Sequence, residues 1–135
     1  MATVKQFEDL GVWQDARALV KEIYATSKQH AFYRDIGLRE QIRRAATSTM
    51  SNIAEGFERG TRKEFIQFLN ISKGSIGEVR SQLYVAVDQE YLPEKDFTTL
   101  RDSAMSLSRR IAKFIRYLET YPGNTRVRKP TKRES

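Results

Sequence analysis

Apolar side chains recur every three or four residues through four long stretches of this chain, and this spacing restricts it to packed helices. The clearest stretch follows Pro93 and alternates in steps of three and four: Phe97, Leu100, Ala104, Leu107, Ile111, Phe114 and Leu118. Such a repeat places its side chains on one stripe suited to left-handed helix packing. No window of the sequence shows the sustained polar–apolar alternation that predicts a half-buried strand.

Three further segments have the same helical period. We expect the first from about Asp9, as its N-cap, to about Lys28, the second over 36–59, and the third from Thr61 to about Glu90. Their predicted core faces are Trp13, Ala16, Val20 and Ile23; Leu38, Ile42, Ala45, Thr49, Asn52 and Gly56; and Phe65, Leu69, Ser72, Ile76, Val79, Leu83 and Ala86.

Residues that end or begin helices separate the first three segments. The stretch 29–35, which contains His30, is predicted as a loop, with Asp35 as N-cap of the second helix. Gly60 suits the left-handed conformation that often follows a helix, so it is expected to end the second helix.

The third and fourth helices have the clearest start signals. Thr61 and Glu64 form a capping box, and Pro93 suits the first turn of a helix. Four helices joined by short loops predict an all-α fold, an up-down-up-down antiparallel four-helix bundle, over residues 1–121. Residues 122–135 contain two prolines and no packable stripe, and we predict a disordered basic C-terminal tail there.

Residue types that support common enzyme chemistry are scarce. The 135 residues include no Cys and one His, which excludes disulfides, thiolate metal sites and the paired histidines of a di-iron bundle. Neither a Gly-x-Ser-x-Gly elbow nor a Gly-rich phosphate loop occurs. We therefore expect no catalytic residue, metal or cofactor, unless a carboxylate site forms around Glu55 and Glu78. The sequence also lacks a signal-peptide or membrane-helix pattern, which favours a cytoplasmic protein.

Basic residues outnumber acidic ones by 24 to 17, for a net charge of +7. Three groups on the helices and one in the tail are candidate nucleic-acid contacts: Arg39, Arg43 and Arg44; Arg59, Arg62 and Lys63; Arg109, Lys113 and Arg116; and Arg126, Arg128, Lys129, Lys132 and Arg133. Basic stripes attract phosphate backbones through counterion release, which requires no reading of base sequence. The alternative is a solvated surface with a solubilising tail.

Small and polar residues are concentrated where the second and third helices are expected to meet. Four of them are interpreted as a structural polar network that fixes helix register, in preference to a binding site: Asn52, Glu55, Ser75 and Glu78. We expect the Asn52 amide to bond across the helices and the two glutamates to pair with Arg43, Arg44 or Arg80.

Several apolar residues lie beside the predicted core faces: Val12, Leu19, Ile66, Phe68, Ile71, Tyr84, Val85, Val87, Met105 and Ile115. A four-helix bundle needs only one apolar stripe per helix, so this surplus predicts a second buried surface, formed with another copy or another protein. The alternative is a wider core stripe.

Blocks of this sequence resemble the small bacterial proteins called 23S rRNA intervening sequence proteins. The matching blocks lie within residues 7–120 and include 10–16, 37–46, 52–56, 64–65, 68–69, 74–75, Glu78, 82–83 and 91–92. The bundle is also similar to accessory variability proteins of diversity-generating retroelements, which form pentameric barrels and bind nucleic acid and a reverse transcriptase.

The resemblance implies a ring-like homo-oligomer, typically a pentamer, with no established enzymatic activity. Some family members are encoded within insertions in large-subunit ribosomal RNA genes. The family's polar residues map to Asn52, Glu55, Ser75 and Glu78, whereas the stretch 29–35 lacks a Phe-Pro often found there and the basic tail lies outside the shared pattern.

These observations together predict a non-enzymatic homo-oligomer that binds nucleic acid, RNA in particular, through basic surfaces and largely without sequence preference. The alternative is a protein-binding scaffold whose oligomer presents a surface to a partner.

Overall fold

The computed structural model describes residues 4–121 of the chain, and over these residues it is helical without a β-strand. A short 3-10 turn, Phe7–Asp9, precedes five helices: α1 (Gly11–Thr26), α2 (His30–Arg34), α3 (Ile36–Arg59), α4 (Arg62–Asp88) and α5 (Glu94–Thr120). The expected all-α class is confirmed for this part of the chain. None of the helices described is long and apolar enough to cross a membrane.

The four long helices α1, α3, α4 and α5 share one hydrophobic core. α3 packs against α1 and α4, whereas α5 packs against α4 and α1, so each long helix has two long neighbours. Hydrogen bonds join Gln41, near the start of α3, to Gln82, near the end of α4, and Thr49 to Ser72, near the middle of both helices.

Three of the predicted helix boundaries are confirmed by their capping contacts. The Asp35 Oδ1 atom accepts a hydrogen bond from the Leu38 N–H at 3.2 Å. Gly60 adopts the left-handed conformation, with a φ of 86°, immediately after α3. The Thr61 Oγ1 atom accepts from the Glu64 N–H at 3.3 Å and donates to the Glu64 carboxylate at 2.9 Å, so the capping box begins α4.

Two predictions near helix ends are wrong. Asp9 does not cap α1, because the 3-10 turn positions Leu10 as the N-cap and no side chain bonds to that end of the helix. The stretch 29–35 is not a plain loop, because α2 forms within it. Phe32 is fully buried and stacks on Tyr91, with 5.5 Å between ring centroids, which stabilises this single helical turn.

The core face of α1 contains Ala16 and Ile23 as predicted, but it differs from the prediction at the other two positions. Val12 and Leu19 are buried, whereas Trp13 and Val20 are only partly buried at its edge. Trp13 makes an edge-to-face contact with Phe7, 5.2 Å between centroids. The Trp13 ring therefore packs on the 3-10 turn that precedes α1, and the aliphatic side chains of Val12 and Leu19 lie in the core.

The predicted face of α4 is confirmed in full, since all seven of its residues are buried. The other two predicted faces each include one residue that is not in the core. In α5, Ile115 is buried and Phe114 is partly exposed, with its ring 5.4 Å from that of Phe65. In α3, Asn52 is only half-buried, and Ile53 lies in the core instead.

The apolar residues beside the predicted core faces fall into three groups. Val12, Leu19 and Ile115 belong to the core. The half-buried residues are Ile66, Phe68, Val87 and Met105. The exposed residues are Ile71, Tyr84 and Val85, all on α4. A wider core thus accounts for part of the surplus, since Ile66 and Val87 also pack against it, and the exposed residues are concentrated on one helix.

Candidate nucleic-acid interface

The basic stripe of α5 is open to solvent. Arg109, Lys113 and Arg116 are exposed, and none of them forms an ion pair within residues 4–121. Arg110, between the first two, instead pairs with Asp15 on α1. The three side chains of the stripe therefore present positive charge that no nearby carboxylate of the described chain neutralises.

The basic group at the α3–α4 turn has partly structural contacts. Arg59 pairs with Glu55 at 3.2 Å and with Glu64 at 3.6 Å. The Arg62 Nη1 atom donates to the backbone oxygen of Tyr121 at 2.6 Å, which joins the end of α5 to the start of α4. Lys63 is exposed. The candidate tail residues, Arg126, Arg128, Lys129, Lys132 and Arg133, lie outside the described residues.

The basic group at the start of α3 is held against tyrosines. The Arg39 guanidinium lies 4.2 Å from the ring centroid of Tyr33 and donates to the Tyr33 backbone oxygen at 2.7 Å. The Arg43 guanidinium lies 4.5 Å from the Tyr24 centroid and 5.8 Å from that of Tyr33. Arg44 is exposed.

A surface groove of about 460 Å³ adjoins this group. It is lined by Tyr24, Glu40, Arg43, Arg44, Thr47, Ser48 and Ser51. Two guanidinium groups and several hydroxyls in one groove provide donors for an anionic oxygen, and Glu40 is its single carboxylate. Sequence reasoning identified these arginines but missed Tyr24 and Tyr33, because α1 and α2 bring the two rings to the arginines only through their packing on α3.

Hydroxyl groups join α3 to α4. The hydroxyls of Ser48 and Ser75 share a hydrogen bond of 2.9 Å, and Ser72 donates to the Thr49 backbone oxygen at 2.8 Å. Asn52 bonds within its own helix, to the oxygen and hydroxyl of Ser48, so it reaches Ser75 only through that residue. The composition of this segment indicated a polar contact, but the Ser48 link was missed.

Gly56 permits the close approach of α3 and α4. A Cβ atom built at Gly56 would lie 2.7 Å from the Phe68 Cβ and 3.0 Å from an atom of the Phe65 ring. Such contacts are far inside the van der Waals distance, so a residue without a side chain is required here.

The two glutamates of the predicted polar network lie at the surface. Glu55 pairs with Arg59 and not with Arg43, Arg44 or Arg80. Glu78 is exposed and has no ion-pair partner within residues 4–121. The described part of the chain contains no group of three or more His, Cys, Asp or Glu side chains placed to hold a metal ion.

The fold is similar to a solved structure from Bacteroides thetaiotaomicron VPI-5482, a protein of unknown function from the S23 ribosomal protein family. The two share 21% sequence identity with a TM-score of 0.72, over 77% of this chain and 97% of that one. At this identity the likeness concerns the fold alone. A search of curated proteins finds no match to the chain.

A family model described as 23S rRNA-intervening sequence protein matches residues 8–113. The match covers most of the chain, spans α1, α3 and α4 in full and α5 as far as residue 113, and agrees with the resemblance carried by the sequence blocks of α1, α3 and α4. The chain therefore belongs to the 23S rRNA-intervening sequence protein family.

Proposed function

We propose that this protein is a non-enzymatic, homo-oligomeric bundle that binds nucleic acid, specifically RNA, in the cytoplasm through contacts with the phosphate backbone. The observation that carries the proposal is the α5 stripe. Arg109, Lys113 and Arg116 are exposed on one side of a single helix, without an ion pair in the described part of the chain.

The spacing of the stripe suits an extended polyanion. The three positions span seven residues of helix, about 10 Å at ~1.5 Å per residue. Phosphates follow one another at roughly 3.4 Å per strand along a duplex, so the stripe can contact several of them. Each contact releases condensed counterions, which favours binding whatever the base sequence.

The choice of RNA over DNA rests on the family name, which refers to 23S rRNA. The similar solved structure adds nothing on this point, because that protein is of unknown function. RNA is therefore the first ligand to test, with DNA of the same sequence as the comparison.

We also propose the up-down-up-down order of the four long helices. The contacts between α3 and α4 favour this order, and so do those of α4 with α5. The ring centroids of Tyr84 and Phe97 are 4.8 Å apart, and those of Phe65 and Phe114 are 5.4 Å apart, so the end of α4 lies beside the start of α5. The ring-like assembly, with five copies, follows from the family resemblance.

The outer side of α4 is the proposed surface of self-association. Ile71, Tyr84 and Val85 are 52%, 46% and 45% exposed. Between them, a Cβ atom added at Gly74 or Gly77 would meet nothing within 4 Å. Exposed apolar side chains beside open backbone allow a second helix to approach closely, which favours a buried contact between copies.

The experiment is a salt titration of RNA binding, measured by fluorescence anisotropy of a labelled oligonucleotide. We expect the double variant Arg109→Glu/Lys113→Glu to bind more weakly and with a shallower salt dependence than the unmodified protein. The control Lys21→Glu/Lys95→Glu changes the net charge equally at two exposed positions outside the stripe. Equal losses in both variants would contradict the stripe as the binding surface.

The second candidate is a protein-binding scaffold, and the exposed apolar residues of α4 favour it. No binding of nucleic acid at low salt would support the scaffold. So would a defined protein partner that remains bound after nuclease treatment and is lost on Ile71→Ser/Val85→Ser substitution.

A further inference from the structure

Two exposed tyrosines and two arginines alternate at the junction of α1, α2 and α3. Tyr24 and Tyr33 are 38% and 47% exposed. The groups follow one another in the order Arg39, Tyr33, Arg43, Tyr24, with separations of 4.2, 5.8 and 4.5 Å between guanidinium carbon and ring centroid. We call this set the Tyr–Arg ladder.

Hydrogen bonds hold the two arginines of the ladder in place. The Arg43 Nε atom donates to the Ser27 hydroxyl at 2.8 Å, and Ser27 is fully buried. The Arg39 Nη1 atom donates to the Tyr33 backbone oxygen. Each ring therefore rests on a guanidinium held in place by a hydrogen bond, and a large part of the ring remains in contact with solvent.

Positive charge extends from the ladder along α3. Arg43 and Arg44 form no ion pair within residues 4–121, whereas the nearby Glu40 is 3.8 Å from Arg39. The groove described above continues past Arg44 to Thr47 and Ser51. These positions recur at helical spacing over residues 40–51, so the groove follows the helix for about 16 Å at ~1.5 Å per residue.

We propose that the Tyr–Arg ladder and this groove bind a single-stranded segment of nucleic acid, with bases stacked on Tyr24 and Tyr33 and phosphates held by Arg44 and the groove hydroxyls. Exposed aromatic rings beside guanidinium groups bind unpaired bases, whose faces are accessible, and not the bases of a duplex. The groove supplies the donors that a backbone phosphate needs at the same place.

This site is separate from the α5 stripe, although it rests on the proposed function because its ligand is also nucleic acid. Arg110, next to Arg109 of the stripe, pairs with Asp15 in the first half of α1, whereas Tyr24 lies near the end of that helix. The α5 stripe is suited to the phosphates of single-stranded and duplex nucleic acid alike. The Tyr–Arg ladder binds only strands whose bases are unpaired.

The test compares three labelled ligands of equal length: a single-stranded RNA, an abasic strand with the same backbone charge, and a duplex. Fluorescence anisotropy at one fixed salt concentration gives their affinities. We expect the single strand to bind at least about five-fold more tightly than the abasic strand, which is the lower end of what one stacked base contributes. A DNA strand of the same sequence determines whether the site distinguishes RNA.

The matched variants separate the aromatic ring from the hydroxyl. Tyr24→Leu/Tyr33→Leu should weaken binding of the single strand by roughly ten-fold or more while leaving abasic binding unchanged. Tyr24→Phe/Tyr33→Phe keeps both rings and should bind as the unmodified protein does. Photo-crosslinking with a strand containing 5-iodouridine should modify Tyr24 or Tyr33, a direct contact that a bracing role for these rings does not produce.

Three outcomes would overturn the inference. Equal affinity for single and abasic strands, with no effect of the leucine variant, would leave backbone binding alone, so the proposed function would stand without the ladder. An equal loss of single-strand and abasic binding in the leucine variant would assign the rings to bracing the α1–α3 junction. Absence of binding to every ligand at low salt would reject both proposals together.

Discussion

The Tyr91 hydroxyl donates a hydrogen bond to Asp35 at 2.9 Å, and the same carboxylate caps α3 through its other oxygen. One side chain thus joins the turn before α5 to the start of α3. The hydrogen bond to Asp35 is the largest cause that raises the pKa of Tyr91 above 10.0, followed by burial and by the negative charge of Asp35. The protonated phenol is therefore favoured in the folded protein.

This contact predicts a loss of stability at alkaline pH. Because the folded pKa of Tyr91 is above the unfolded value of 10.0, its contribution is complete below pH 10 and is lost as the pH rises through the folded pKa. Urea unfolding between pH 8 and pH 11 should show a smaller alkaline loss for Tyr91→Phe than for the unmodified protein. If the free energy of unfolding fell equally with pH in the two proteins, the contribution of Tyr91 would be contradicted.

The core face of α5 predicts a large effect at Leu107. This residue is 3% exposed, and Leu107→Ala should lower the free energy of unfolding by about 2–5 kcal/mol because it removes buried methyl groups and leaves a cavity. Ile36→Ala is the matched control, since Ile36 is 62% exposed and its truncation should cost about 0.5 kcal/mol or less. Similar losses at both positions would argue against the core described.

The glycines of α3 and α4 predict opposite effects of one substitution. Gly56→Ala should destabilise the protein, since its new methyl group would lie 2.7 Å from the Phe68 Cβ. Gly74→Ala has open space around it within one copy and, made together with Ile71→Ser/Val85→Ser to remove the proposed contact between copies, should stabilise α4 by about 0.5–1 kcal/mol, the usual preference for Ala in a helix interior. Thermal unfolding followed by circular dichroism measures both, and a stabilising Gly56→Ala would contradict the close approach of α3 and α4.

Self-association is predicted from the exposed apolar residues of α4. Gel filtration with light scattering should return a mass several-fold above 15.7 kDa, with five copies expected from the family resemblance. Ile71→Ser/Val85→Ser should lower this mass while leaving the helical circular dichroism spectrum unchanged. A monomer at micromolar concentration in the unmodified protein would exclude the assembly.

The salt dependence of RNA binding tests the stripe together with the tail. About five phosphate contacts per chain should give a slope near −3.5 in a plot of log affinity against log salt, at ~0.7 per contact for single strands. Removal of residues 123–135 should flatten the slope, and Arg109→Glu/Lys113→Glu should flatten it further. If only the tail deletion has an effect, the stripe lies within an oligomer contact.

Periodicity alone predicted the face of α4 because no competing register fits its apolar residues. In α1 periodicity did not distinguish between two possible core faces, since Val12 and Leu19 fit the helical repeat as well as Trp13 and Val20 do. In the structure Trp13 contacts Phe7, which lies outside the helix, and Val12 and Leu19 are buried instead. The apolar periodicity of a helix carries no information about contacts with residues outside that helix.

The candidate site shows the same limit. The three arginines at the start of α3 were visible as a charged run, but the stacking of Arg39 and Arg43 on Tyr24 and Tyr33 depends on how α1, α2 and α3 meet. α2 is a helix of five residues, too short for a periodic signal, and the burial of Phe32 positions it. The charged residues could therefore be identified from the sequence, whereas the position of the aromatic rings beside them depends on tertiary packing.

The joint between α3 and α4 is made by hydroxyl groups, with Ser48 bonded to Ser75 and Ser72 to the backbone of Thr49. None of these groups titrates near neutral pH, and uncharged hydrogen bonds are not screened by salt as ion pairs are. Ionic conditions that release a bound polyanion therefore leave this joint intact. In the proposed function, binding and release of nucleic acid would thus take place on an unchanged α3–α4 joint.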